Sequence, residues 1–231
     1  MKVAVINFSG NVGKSTASRH LLSPRMNDCK IIPVETINSD ENDSGHVKGK
    51  EFGNVIEAMA LLDDVVVDIG ASNIEALILQ MKQYRGSHED FDLFVVPTTP
   101  VKKQQRDTIS TIEALREIGV PAKKIRLLFN MVEVDDTPEQ VFSGLFEFHD
   151  VEKSFVLNPK AMLHVNDIYG KLVGAEQTIE AVLNDPTDLK ELLKAQTDAG
   201  EKLRISRQIG IKRLAAGVKE ELDVAFKALT K

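Results

Sequence analysis

Six short runs constrain this chain more than any other feature of it: "KVAVIN" at 2 to 7, "KIIPVE" at 30 to 35, "VVVDI" at 65 to 69, "DLFVVP" at 92 to 97, "IRLLFN" at 125 to 130 and "SFVL" at 154 to 157. Most are apolar on successive residues instead of on alternate ones, which is how strands covered on both faces of a parallel sheet read. Helices must then flank the sheet. Residues 14 to 22, 73 to 84, 103 to 118 and 138 to 148 supply them, and in "DTISTIEALREIG" the residues Ile109, Ile112, Leu115 and Ile118 keep helical spacing until Gly119 stops it. This alternation predicts a doubly wound α/β domain, whose ligands bind beyond the carboxyl ends of the strands. Chemistry is therefore expected at residues 8 to 14, 35 to 45, 68 to 73, 97 to 102 and 130 to 135.

Strand signals stop near residue 160, and residues 188 to 231 read as one or two helices. Leu203, Ile211, Leu214, Ala215, Val218, Leu222, Ala225, Phe226 and Leu229 keep helical periodicity over the last five turns. With 231 residues, 42% hydrophobic and 28% charged, the chain is expected to be one domain that folds on its own. Residues 1–175 form its core and 176–231 its C-terminal helices.

Several function classes drop out. The apolar runs are too short for a membrane span, and Met1-Lys2 leads into a strand without a cleavage site, so no secretory signal is expected. Cys29 is the sole cysteine, which excludes an intrachain disulfide and fits a reducing cytoplasm. His20, His46, His88, His149 and His164 lack the spacing of a zinc site or a catalytic triad. The formal net charge of -6 speaks against a nucleic-acid binder over the whole surface. Between Lys202 and Lys219, however, Lys202, Arg204, Arg207, Lys212, Arg213 and Lys219 occur without an acidic residue; that stretch is +6, so the remainder is -12. The bland reading of this segment is an amphipathic helix packed on the domain's flank. The sharper one is a surface that meets DNA or, less favoured, a membrane.

"NFSGNVGKST" at 7 to 16 follows the first strand and opens the first helix. Small residues at Gly10 and Gly13 let successive backbone N–H groups face one anion, and the helix N-terminus adds its partial positive charge. Lys14 is placed to reach the β- and γ-phosphates of a nucleotide and Ser15 to ligate magnesium. The contact set is Ser9, Gly10, Asn11, Val12, Gly13, Lys14, Ser15 and Thr16. The standard Gly-x-x-x-x-Gly-Lys-Ser/Thr pattern fails at one place, Phe8, whose ring is free to cover an apolar face while its backbone serves the loop.

The alternative pattern, Lys-Gly-Gly-x-Gly-Lys-Thr-Thr, is matched at Gly10, Val12, Gly13, Lys14, Ser15 and Thr16, with Asn11 for the second glycine and Ser9 for the signature lysine. The sequence thus resembles the deviant-Walker ATPases typified by the partition ATPases and MinD, over about residues 1 to 175. "VVVDIGASN" resembles that family's second phosphate-side motif, which implies that Asp68 holds magnesium through water and that Gly70 responds to the γ-phosphate. "IRLLFN" ends on Asn130, where the family has an adenine-contacting asparagine; "NMVE" lacks the lysine of a guanine-reading motif, so adenine is favoured over guanine. "NVGKST", "DIGASN" and the basic tail look most similar to StbB-like plasmid stability proteins and TraL-like conjugation ATPases. The resemblance implies a homodimeric ATP- and magnesium-dependent switch in a bacterium, with DNA or a plasmid-encoded DNA-binding protein as partner through Arg204, Arg207, Lys212 and Arg213.

Other residues extend this reading. Asp68 ends an apolar strand and would be costly to bury without metal-bound water or donors. Glu35 and Asp40 lie in or beside the polar loop "TINSDENDSG", where a carboxylate can orient the attacking water; a solvated acidic loop has the same sequence. Ser9 cannot reach a partner's nucleotide as the signature lysine does. Either Lys102, Lys103 or Arg106 substitutes, or hydrolysis is slow, or the chain is an adaptor that binds nucleotide without turnover. A ligase of the dethiobiotin-synthetase type is the remaining alternative.

Overall fold

A computed structural model describes residues 1–34, 46–173 and 177–231, and in the helix that begins at His46 the side chains from Phe52 onward. Strands β1 (Lys2–Val5), β2 (Lys30–Val34), β3 (Val65–Ile69), β4 (Leu93–Thr98), β5 (Ile125–Val132) and β6 (Met162–His164) form one sheet in the order β2-β3-β1-β4-β5-β6. Every pairing is parallel. The helices are α1 (Lys14–Thr16), α2 (His46–Ala60), α3 (Ile74–Gln83), α4 (Lys102–Glu117), α5 (Pro138–Val141), α6 (Ser143–Glu152), α7 (Asp167–Lys171), α8 (Ile179–Asn184), α9 (Leu189–Ala195) and α10 (Ala199–Thr230). Helix α1 continues as a wider coil over Ala17–Leu22, where the N–H of Ser23 donates to the Ser18 carbonyl five residues back.

Alternate residues of each central strand enter different cores, which is why the strands read as continuous apolar runs. Ala4, Ile6, Val65, Val67, Phe94, Val96 and Leu127 pack beneath α2, α3, α4 and α6. Val3, Val5, Val66, Val95 and Leu128 pack against Ala17, Leu21 and Leu22 of the first helix and against α7, α8 and α10. The architecture is a three-layer α/β/α sandwich with a long C-terminal helix, as the sequence predicts. In α10, Ala215, Val218, Leu222, Ala225 and Leu229 are buried at helical spacing, whereas its first third buries only Ile205. No helix among the described residues is long and apolar enough to cross a membrane.

The last strand differs from expectation. "SFVL" is not a strand: Val156 makes one bridge to Arg126, and the sixth strand is Met162–His164, beyond the point where strand signals stop. Phe155 owes its apolar character to the core beneath α6, where it is buried, and not to a ladder. Helices α2 and α7 were also not expected.

Candidate functional site

Because β1 has β3 on one side and β4 on the other, the connections diverge at its carboxyl end, and that is where a doubly wound sheet opens a ligand crevice. The segment from Asn7 to Thr16 fills this place. It starts on a fixed point: Asn7 is fully buried, its Nδ2 donates to the Pro97 carbonyl and to Thr108 Oγ1 (both 2.8 Å), and its Oδ1 accepts from the Ser9 N–H at 2.8 Å. The Phe8 N–H donates to Thr111 Oγ1 at 3.0 Å while its ring packs against the core beneath α4. Gln104 Nε2 donates to the Gly10 carbonyl at 3.2 Å, and its Oε1 meets the Thr99 hydroxyl.

Gln104, Thr108 and Thr111 follow i, i+4, i+7 spacing, so one face of α4 carries the loop at three successive places. Sequence reading missed this stripe. Threonine and glutamine on a helix look like a solvated face until the loop they touch, about a hundred residues earlier, is known.

The loop itself turns back through left-handed geometry at Asn11 (φ 56°) and Gly13 (φ 84°). The N–H groups of Gly10, Asn11, Val12 and Gly13 make no hydrogen bond to the described residues. Backbone donors without a partner among the described residues at a helix start can take an anion. Lys14, 9% exposed, folds over the loop's inside, its Nζ donating to the carbonyls of Ser9 (2.7 Å) and Asn7 (3.1 Å). Burial lowers its pKa, and the attraction of Asp68 opposes that shift.

Ser15 is exposed, Thr16 half-buried and Asp68 buried in register between Val5 of β1 and Pro33 of β2. Ser15 and Asp68 line one cavity of about 490 Å³, together with Thr16, Arg19, Tyr169 and Leu172. A hydroxyl and a carboxylate lining one cavity beside this loop are a donor set that a hard cation such as magnesium takes, so the residues fit that ion. Gly70 N–H and Asn73 Nδ2 both donate to the Val34 carbonyl (3.2 and 2.6 Å), which fixes the turn after β3 to the end of β2.

Asn130 is 4% exposed and sits against the loop's rear, its Nδ2 donating to the Val12 carbonyl at 2.9 Å. Lys102, Lys103 and Arg106 are exposed on the first turns of α4, without an ion pair among the described residues. Glu35 and Asp40 lie outside the described residues. On α10, Arg204 pairs with Glu201 at 2.8 Å, Lys212 donates to the Asp185 carbonyl at 2.6 Å and Lys219 pairs with Asp223 at 2.7 Å. Lys202, Arg207 and Arg213 have no ion-pair partner among the described residues, so the basic stretch offers fewer free cations than its sequence suggests.

Arg25 is another residue that sequence reading passed over. It donates to the carbonyls of His20 and Leu21 at the end of the loop helix and pairs with Asp223 (2.8 Å) and Glu180 (3.3 Å), tying that helix to α8 and α10.

His20, 7% exposed, is held at a pKa of about 4, first by burial and second by Arg19. Its ordinary value is 6.5, so the unfolded chain takes up a proton that the folded chain refuses between those limits. The resulting stability is complete above pH 6.5 and is lost as the pH falls towards 4. Replacing His20 with glutamine is therefore expected to reduce acid sensitivity. The stability gap between parent and variant should shrink by about 2–3 kcal/mol from pH 7 to pH 4 in urea titrations. Parallel pH curves would show that His20 titrates normally.

The parallel strand order, the glycine turn entering a helix and the buried aspartate on the neighbouring strand define a P-loop NTPase fold. No protein-family model matches the chain, and no curated protein is similar to it. Among solved structures the chain is similar to the MinD cell division protein of Aquifex aeolicus: 12% identity, 85% of this chain and 98% of that one covered, TM-score 0.52. McdA of Cyanothece in its apo form covers 96% of this chain and 98% of its own at 13% identity, with a TM-score of 0.49. At this identity the likeness to MinD is one of fold.

Proposed function

We propose that the chain is a nucleotide-switch ATPase of the ParA/MinD type that acts in plasmid stability, partition or conjugative transfer. The observation that carries the reading is the row of four backbone amides, Gly10 to Gly13, that have no hydrogen-bond partner among the described residues, beside Lys14. An ammonium already held at the loop by two carbonyls needs little rearrangement to exchange them for phosphate oxygens. Ser15 and Asp68 would hold magnesium, which supplies positive charge to the phosphate oxygens when bound. The protein's own share is to hold the chain of phosphates in line, through the α4 stripe behind the loop, and to keep the Lys14 charge on them.

Ser9 presents only a hydroxyl, and its carbonyl is spent on Lys14, so turnover is slow unless Lys102, Lys103 or Arg106 reaches the nucleotide. The same observation favours a second reading, an adaptor that binds nucleotide without hydrolysing it. The homodimer is the switch's working form in the first reading, and cations of α10 that make no ion pair among the described residues, such as Arg207 and Arg213, are its contact to DNA or a DNA-binding partner.

Sizing the protein with magnesium and ATP, with ADP and without nucleotide, each with and without DNA, tests the proposal. ATP is expected to shift the protein to a larger species that ADP does not produce, with DNA retained only in the ATP state. Phosphate release no greater than that of Lys14→Ala, with nucleotide bound, favours the adaptor. Absence of any ATP uptake at millimolar concentration rejects both.

A further inference from the structure

We propose that the cavity between α9 and α10 receives the acidic turn at residues 133 to 136 of a second copy of this chain, with Val134 as the apolar side chain that enters it. The contact needs no nucleotide, so it does not rest on the phosphate-loop reading above.

The cavity measures about 530 Å³ and combines apolar and basic side chains. Ile209, Lys212, Arg213 and Ala216 stand at i, i+3, i+4 and i+7, on one face of α10, and Pro186, Leu189 and Lys190 line the cavity from the chain that enters α9. The carboxylates nearby are turned to local backbone. Asp188 Oδ1 accepts the Lys190 and Glu191 N–H groups (both 3.0 Å), and Asp185 Oδ1 accepts the Thr187 N–H at 2.9 Å. Lys212 gives one of its three N–H groups to the Asp185 carbonyl, while Lys190 and Arg213 make no ion pair among the described residues.

Beyond β5 the chain reads Glu133-Val134-Asp135-Asp136 and reverses at once, the Asp136 N–H donating to the Glu133 carbonyl at 3.1 Å. Val134 is 77% exposed, Glu133 and Asp135 are exposed, and none of the three carboxylates makes an ion pair among the described residues. The turn thus carries one apolar side chain between negative charges, and the cavity carries apolar side chains between positive ones. They do not meet within one chain, since no residue of the turn lines the cavity and Val134 stands in solvent.

A nucleic-acid backbone would engage the cations and leave the apolar side chains of this cavity unused, whereas the turn uses both. Charge segregation points the same way: the stretch from Lys202 to Lys219 carries +6 and the remainder -12, so the basic helix of one copy is drawn to the acidic surface of another. The contact covers Arg213, and so withholds from DNA a cation that the reading above assigns to it.

Sedimentation equilibrium of the full chain at low ionic strength, without nucleotide and freed of nucleic acid, tests the contact. The parent protein is expected to self-associate with a dissociation constant on the order of 100 µM, as small transient contacts do. Val134→Ser should weaken this by about tenfold or more, and so should the pair Lys190→Glu and Arg213→Glu; all three residues are exposed, so the fold is expected to persist. The pair Glu133→Lys and Asp135→Lys reverses the turn in the same way. A mixture of the two charge-reversed proteins should associate again, because each cavity then meets a turn of opposite charge on the other protein. The proposal is overturned by a parent that stays monomeric up to about 1 mM, by an association that either Val134→Ser or the cavity reversal leaves unchanged, or by charge-reversed proteins that stay apart when mixed. None of these outcomes bears on nucleotide binding, which the comparison of ATP with ADP tests separately.

Discussion

Gly13→Ala is expected to cost about 2–4 kcal/mol of folding stability in urea titrations and to abolish nucleotide binding. Two independent effects add at this position. The backbone is at φ 84°, which an alanine adopts only under strain. The new methyl would also lie 2.0 Å from Asn130 Nδ2 and 3.3 Å from its Cγ, so Asn130 must leave and its bond to the Val12 carbonyl breaks. The second effect has a signature: in an Asn130→Ala background the clash is gone, so Gly13→Ala should cost less there by about 1–2 kcal/mol. Equal costs in both backgrounds would mean that Asn130 is not packed behind the loop. A loss under about 0.5 kcal/mol in the parent would mean that the left-handed turn is absent.

Those expectations depend on a contact between residues 118 positions apart, and such contacts mark the boundary of what the sequence discloses. Strands β1, β3 and β4 were legible because burial on both faces forces apolar residues at successive positions, and Val65–Ile69 coincides with its predicted range. The loop was legible because its constraints are local: a glycine for positive φ, a lysine and a hydroxyl at fixed spacing. The short sixth strand was hidden because Leu163 alone is buried in it, which leaves no pattern to detect. Helix α2 contains Gly49 and Gly53, which weaken its local helix signal, so its formation depends on Phe52 and Met59 reaching the core. Ser9 and Phe8 looked like defects in the motif. In the fold each is held through its backbone, Ser9 by Asn7 and Lys14 and Phe8 by Thr111, which side-chain identity does not report.

Lys14→Met is expected to change the stability of the nucleotide-free protein by no more than about 1 kcal/mol while reducing triphosphate affinity by about a hundredfold or more. The folded environment disfavours the ammonium: burial lowers its pKa, and Asp68 only partly offsets this. Removing the charge relieves that desolvation, while the Asn7 and Ser9 carbonyls lose their donor, and the two changes oppose each other. With a triphosphate present nothing opposes the loss, because the same ammonium would then balance anionic oxygens in a site where Gly10 to Gly13 supply only dipoles. Melting temperatures without and with ATP and magnesium measure both quantities on one sample. The parent melting point should rise with ligand by mass action, and the variant's should start at nearly the same temperature and stay there. A variant that melts far lower without ligand would make Lys14 a structural residue, and one that keeps the ligand-induced rise would place the phosphates elsewhere.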